Sequence, residues 1–342
     1  MNDKSLHLLE LPKILEQLTK HTTFSASAEL ARELTPSTDL QEVQTWLAET
    51  AEARALFESK HVISMGGIHD VRDLVLSAQR GVVIEAQKLL DVRSTLRRGS
   101  QLKRALGKLK TQFAMLAALT DDIAECGTLQ DAISTAIDDN ADVRDSASPK
   151  LAIIRRDLKV TFEKLQTKLN RIITNPNKSL YLQEQLITMR NGRYVIPLKA
   201  DYKGKIPGIV HDSSGSGMTL FIEPLDTVEL NNQWRELQIE EEKEVWRILA
   251  ALSAQAGKDA ELICKTVDTL AYIDLTFAKA MYADDHKAVM PQMLPFQKRG
   301  GDSLHPGSKI AIRGGRHPLL RGNVVPIDVE FDNDTFILVI TG

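Results

Sequence analysis

The chain has 342 residues, 43% of them apolar and 26% charged, with a formal net charge of −3. That length exceeds what one compact core needs, so two or three sub-domains are expected. The negative balance confines any nucleic-acid contact to a local basic patch and excludes a whole-molecule field as its source.

The N-terminal stretch MNDKSLHLLELPKILEQL lacks a basic segment leading into an apolar core. No apolar run approaches the roughly 18 residues of a membrane span, so neither a signal peptide nor a membrane partner is expected. Aromatic residues are 5% of the chain and helix formers dominate, which favours a mostly helical fold. Over the first 140 residues the pattern is one of short amphipathic helices. Leu8, Leu11, Ile14, Leu15 and Leu18 recur at helical spacing. Leu40, Val43, Leu47, Ala51 and Leu56 do so after a Ser/Thr/Asp-rich cap region. These stripes are core faces. His61 and His69 have no Cys, Glu or His at ligand spacing and are read as structural or surface residues. Two cysteines, Cys126 and Cys264, are too few for a disulfide framework or a zinc cluster and suit a reducing cytoplasm.

From Ala147 the spacing changes. Leu151, Ile154, Leu158, Phe162, Leu165, Leu169 and Ile172 form a heptad-like seam, which predicts a helix over 147–173 of about 40 Å. A second seam, Leu230, Trp234, Leu237, Val245, Ile248 and Leu252, predicts a helix over 227–257, interrupted or locally solvated at Glu241. Between them, residues 174–226 are rich in turn formers and carry the strand-like runs RYVIPLK, IPGIVHD and MTLFIEP, with SSGSG as a tight loop between two strands. The expected arrangement is an antiparallel helix pair with a small β unit at its tip. Within that unit Arg190, Arg193, Lys199, Lys203 and Lys205 face a single acid, Asp201, across residues 190–205. Such a local excess of positive charge is suited to phosphates. No Asn, Gln and Arg set aimed at base edges is recognisable, so the pattern supports backbone contact alone. His211, Asp212 and Ser213 do not make a hydrolytic triad, because adjacent strand and turn residues point apart.

The stretch RNGRYVIPLKADYKGKIPGIVHDSSGSGMTLFIEP resembles the clamp and connector segment of the bacterial MutS-two branch of the MutS family. GGRHPLLRGNVVPIDVEFDNDTFILVITG resembles the entry into the MutS ATPase domain. The resemblance covers essentially the whole chain. It implies a mainly α fold with a small β insert: a helical core over 1–146, a first lever helix over 147–173, a β-rich clamp or connector over 174–226, a second lever over 227–257, a helical return over 258–300 and the first strands of an ATPase domain over 301–342. It implies that Phe336 to Ile340 form the strand before a Walker A loop whose first glycine is Gly342, and that Val324 and Val325 flank the adenine. Ile327 departs from the family's usual Asn. By the same resemblance the full-length protein is an ATP- and magnesium-dependent DNA clamp that suppresses recombination or acts in repair, with a Smr nuclease. The lysine and hydroxyl residue of the phosphate loop, the Walker B acid and the nuclease do not occur in these residues, so no ATPase and no tight nucleotide or metal binding is expected of them. Duplex or branched DNA is the expected partner, with a stalled ribosome, met through rRNA, as the alternative. The family dimerises largely through its ATPase domains, which leaves a monomeric state open for this chain.

Overall fold

The structure is a computed structural model that describes residues 3–59, 61, 63–295, 309–320, 322–331 and 337–339. In chain order the helices are α1 (Asp3–Leu8), α2 (Leu11–Thr19), α3 (Ser25–Arg32), α4 (Leu40–Glu58), α5 (Arg72–Gln79), α6 (Ala86–Lys108), α7 (Ala114–Leu119), α8 (Gly127–Ala136), α9 (Pro149–Ile173), α10 (Pro176–Ser179), α11 (Leu225–Lys258) and α12 (Ala260–Asp285). The strands are β1 (Thr188–Arg190), β2 (Arg193–Lys199), β3 (Gly208–Ser213), β4 (Thr219–Pro224), β5 (Ile310–Gly315) and β6 (Ile327–Phe331). The fold is therefore mainly α with a small antiparallel sheet. The early helices are not uniformly short: α4 has 19 residues and α6 has 23.

The chain forms two compact units. The first comprises residues 1–76, 91–126 and 259–342. Asp39 caps α4 by accepting from the backbone N–H groups of Gln41 and Glu42. Leu56, Ile68, Leu102, Leu106, Leu116 and Phe277 are buried together in one apolar cluster, and Leu18, Ala31, Leu275 and Ala278 in another. Residues of α12 appear in both clusters, which is why its apolar positions run nearly all round the helix. Inside this helix Asp274 is fully buried, and among the described residues no cation pairs with it; the Thr23 N–H and hydroxyl and the Ser27 hydroxyl donate to it. Burial pushes its carboxyl upward against those bonds.

The second unit comprises residues 77–90 and 127–258. In it α9 and α11 run antiparallel: Ser148 meets Glu244, Arg155 meets Glu241, and Lys168 reaches the Asp226 carbonyl. Leu151, Ile154, Leu165, Leu169 and Ile172 of the expected seam are buried, whereas Leu158 and Phe162 are half-buried and Thr161 is buried in their place. Glu241 interrupts the second apolar seam as a half-buried ion-pair partner of the other helix. Its carboxylate accepts from Arg155 Nε at 2.7 Å, and the same guanidinium donates to Asp145 and to the Val143 carbonyl. One turn on, Glu244 is almost wholly buried and accepts from the Ser148 hydroxyl, whose oxygen caps α9 through the Leu151 N–H. Close approach elsewhere in the unit requires a glycine: a Cβ on Gly257 would lie 2.6 Å from the Gln79 nitrogen and 2.7 Å from the Ala78 carbonyl carbon.

The sheet has the order β1-β2-β4-β3, all neighbours antiparallel. Ile196, Leu198 and Ile222 share a buried cluster with Leu165, Leu169, Ile172 and Ile173 at the C-terminal end of α9. Pro197 fits within β2 because its carbonyl accepts from the Gln183 N–H on the side away from β4, where no donor is needed from it. β5 and β6 form a separate two-stranded hairpin. Of the strand expected over Phe336–Ile340, the end residues lie outside the described residues. Ile337, Leu338 and Val339 are exposed and in no strand, since a strand exists only where a neighbour completes its ladder.

Candidate nucleic-acid interface

The five basic residues of the β unit divide into two environments. Arg190 and Arg193 flank a two-residue turn, Asn191-Gly192, with φ of 51° and 73°. Positive φ at both centres matches the twist of the flanking strands, and Asn-Gly is the dipeptide that adopts it most readily. The Asn191 amide donates to the His211 carbonyl at 3.0 Å, which brings the turn to β3. Arg190 Nε lies 3.3 Å from Asp212, and its guanidinium sits 4.2 Å from the Phe221 ring centroid. Arg193 is committed further. It donates to Glu223 at 3.0 Å and to the Asn232 side chain at 2.6 Å. Glu223 is fully buried, and His211 Nε2 stands 2.6 Å from its other oxygen. Beside this network Asn231 of α11 pairs with both backbone groups of Tyr194, accepting at 3.0 Å and donating at 3.1 Å, as a neighbouring strand would. These arginines hold the sheet to itself and to α11.

The three lysines stand at the other end of β2. Among the described residues none of them forms an ion pair. Lys199 donates to the Leu180 carbonyl at 3.2 Å. Lys203 and Lys205 are exposed and belong to a tight turn, Tyr202-Lys203-Gly204-Lys205. Lys203 has φ −51° and ψ 126°, Gly204 has φ 88°, and the Lys205 N–H donates to the Tyr202 carbonyl at 3.0 Å. This is a type II turn, which needs a residue free to take positive φ at its third position. It is tied to the β3–β4 hairpin, because the Ala200 N–H donates to the Met218 carbonyl at 2.9 Å. Sequence reading grouped all five cations by proximity in the chain. The strand direction separates them, since β2 starts at Arg193 and ends at Lys199. Two local signals had been passed over: Asn191-Gly192 as a hairpin turn, and with it the strand β1.

Val324 and Val325 lie just before β6, half-buried and exposed respectively, with the Val324 N–H bonded to the Gly322 carbonyl. Gly342 lies outside the described residues. No helix follows α12 among the described residues, so they do not build the loop-to-helix cradle that holds nucleotide phosphates.

Comparison with known proteins bears on this arrangement. The chain is 40% identical over 344 residues to an Endonuclease MutS2 from Symbiobacterium thermophilum, covering all of this chain and 42% of that protein. The chain is a relative of the MutS2 endonucleases. MutS2 proteins from Geobacillus sp. (strain WCH70) and Halalkalibacterium halodurans match at 40% and 36% identity, again over essentially the whole chain. The chain spans about 42% of the length of the MutS2 relatives it matches. No protein-family model matches it.

Proposed function

We propose that this chain is the core, lever and clamp portion of a MutS2-type protein, with α9 and α11 as levers, and that its β unit grips nucleic acid, DNA in the first place, by the phosphate backbone. The observation that carries the proposal is the separation of the cations. Arg190 and Arg193 pair with Asp212 and Glu223, while Lys203 and Lys205 stand in a turn shortly after Lys199, and among the described residues none of the three lysines has an acidic partner. Lysine ammoniums on flexible stems contact phosphates as point charges and carry no base code. The relatives are named endonucleases, which supports a nucleic acid over other polyanions. In the same reading Val324 and Val325 sit on the adenine side of a nucleotide site whose phosphate loop is not built by the described residues.

The test is fluorescence anisotropy with two duplexes of unrelated sequence, a branched DNA and a structured RNA. The account expects similar affinity for both duplexes, and equal weakening on both when Lys199, Lys203 and Lys205 are changed together to Ala. Undiminished binding by that variant overturns the assignment. Tighter binding to the RNA than to every DNA reassigns the clamp to a ribosomal partner.

A further inference from the structure

The lysine turn carries a group that phosphate contact does not use. Tyr202, its first residue, is 37% exposed. Its ring packs on Tyr181 at a centroid distance of 5.1 Å, and Lys199 Nζ lies 5.9 Å from its centroid. Tyr181 is fixed in turn, because its carbonyl accepts from the Lys199 N–H at 3.0 Å. The Tyr202 hydroxyl bonds to no other described residue, so packing sets the ring's place. In a type II turn the first and fourth Cα atoms lie within about 7 Å, so Tyr202 and Lys205 are neighbours across the turn, with Lys203 at its corner. Gly204 adds no side chain, and a Cβ there would meet nothing within 4 Å, so a ligand can reach the turn closely. Met218 and Leu180, at 69% and 68% exposure, are joined to this end by the Ala200 and Lys199 bonds already described.

A partly exposed aromatic ring packed on a second ring, with one lysine ammonium near it and two more lysines in its own turn, is an arrangement on which a nucleobase can stack while its phosphates are neutralised. We propose that Tyr202 stacks an unpaired base, so that this end of the β unit prefers a single-stranded segment to a continuous duplex. The bases of a duplex present only their edges, and their faces are taken by neighbouring pairs. This rests on the phosphate-gripping role of the lysines. It adds a specificity-determining residue that they do not supply.

The experiment compares the parent chain with Tyr202→Leu, Tyr202→Phe and the triple lysine variant. The probes are a fluorescein-labelled single-stranded oligothymidylate, a duplex of equal length and a single strand carrying 2-aminopurine. Tyr202→Leu is expected to weaken single-strand binding by roughly five- to a hundred-fold, to leave duplex affinity within about two-fold and to keep the salt dependence unchanged. Tyr202→Phe is expected to bind as the parent does, since stacking needs the ring and not the hydroxyl. The 2-aminopurine emission is expected to be quenched by the parent and by Tyr202→Phe but not by Tyr202→Leu. Equal losses on single strand and duplex with Tyr202→Leu would show a structural role and overturn the stacking proposal. Unchanged single-strand binding by Tyr202→Leu, with the lysine variant weakened, overturns stacking and leaves the lysine reading standing. Unchanged binding by both overturns both.

Discussion

Arg193→Ala separates a strut from a contact. The guanidinium supplies two of the bonds around a carboxylate that has no exposure to solvent, and it also ties β2 to Asn232 on α11. Removing one partner of a buried pair leaves the other charged and undersolvated, at a cost of about 3–5 kcal/mol. Arg193 is itself 27% exposed and His211 remains beside Glu223, which places the expected loss near the lower end, about 3 kcal/mol. At a urea slope of roughly 1–3 kcal/mol/M this moves the unfolding midpoint down by about 1 M or more. The assay is urea unfolding followed by far-ultraviolet circular dichroism, read on the transition of the second unit. Adding Glu223→Gln removes the stranded charge, so the double variant is expected to be more stable than Arg193→Ala alone. Changes at Lys203 and Lys205, which are exposed, are expected to shift stability by no more than about 0.5 kcal/mol each. An Arg193→Ala protein that unfolds at the parent's midpoint and loses nucleic-acid affinity as the lysine variants do would show that Arg193 contacts the ligand.

Gly257→Ala is expected to destabilise by about 1–3 kcal/mol although alanine is the better helix former, because its Cβ would press on the Ala78–Gln79 backbone; a raised thermal midpoint would contradict that packing. Asn231→Ala leaves the Tyr194 N–H and carbonyl without their partner, and is expected to cost about 1–3 kcal/mol and to speed amide exchange at Tyr194, which hydrogen-exchange mass spectrometry reads. Glu244 is held down to about 2 by bonds from Arg247 and Ser148. A depressed carboxylate stabilises above its unfolded pKa and loses that contribution as pH falls through the folded one. The second unit should therefore weaken between about pH 4.5 and pH 2, and Glu244→Gln should flatten that part of the acid-unfolding profile.

The mainly helical class and the strand runs of the β unit were legible in the sequence because their apolar periods are local properties. Leu165, Leu169 and Ile172 announce a helix face, and RYVIPLK announces a strand, without knowledge of what they pack on. At Glu241 the interruption was legible but its partner was not, because that partner, Arg155, lies on the other helix and is shared with Asp145 beyond that helix's start. The division within the basic cluster was hidden for the same reason. Its two arginines find acids brought to them by β3 and β4, and sequence spacing does not show pairing across a sheet. Tyr202 drew no notice because an aromatic residue in a polar loop is unremarkable until the turn places it beside Tyr181 and Lys199.

The division between acid-paired arginines and lysines with no acidic partner among the described residues is tested most directly by a salt titration of duplex binding. Each phosphate neutralised contributes a slope of about −0.9 in log K against log salt on duplex DNA. With Lys199, Lys203 and Lys205 as the contacts, changing all three to Ala should flatten the slope by about two to three units, similarly for every duplex sequence. Arg193→Gln, compared with the parent under conditions where both are folded, should leave the slope as it was. A triple lysine variant whose affinity and slope match those of the parent would show that the lysine turn is a solvated face and that the clamp grips elsewhere.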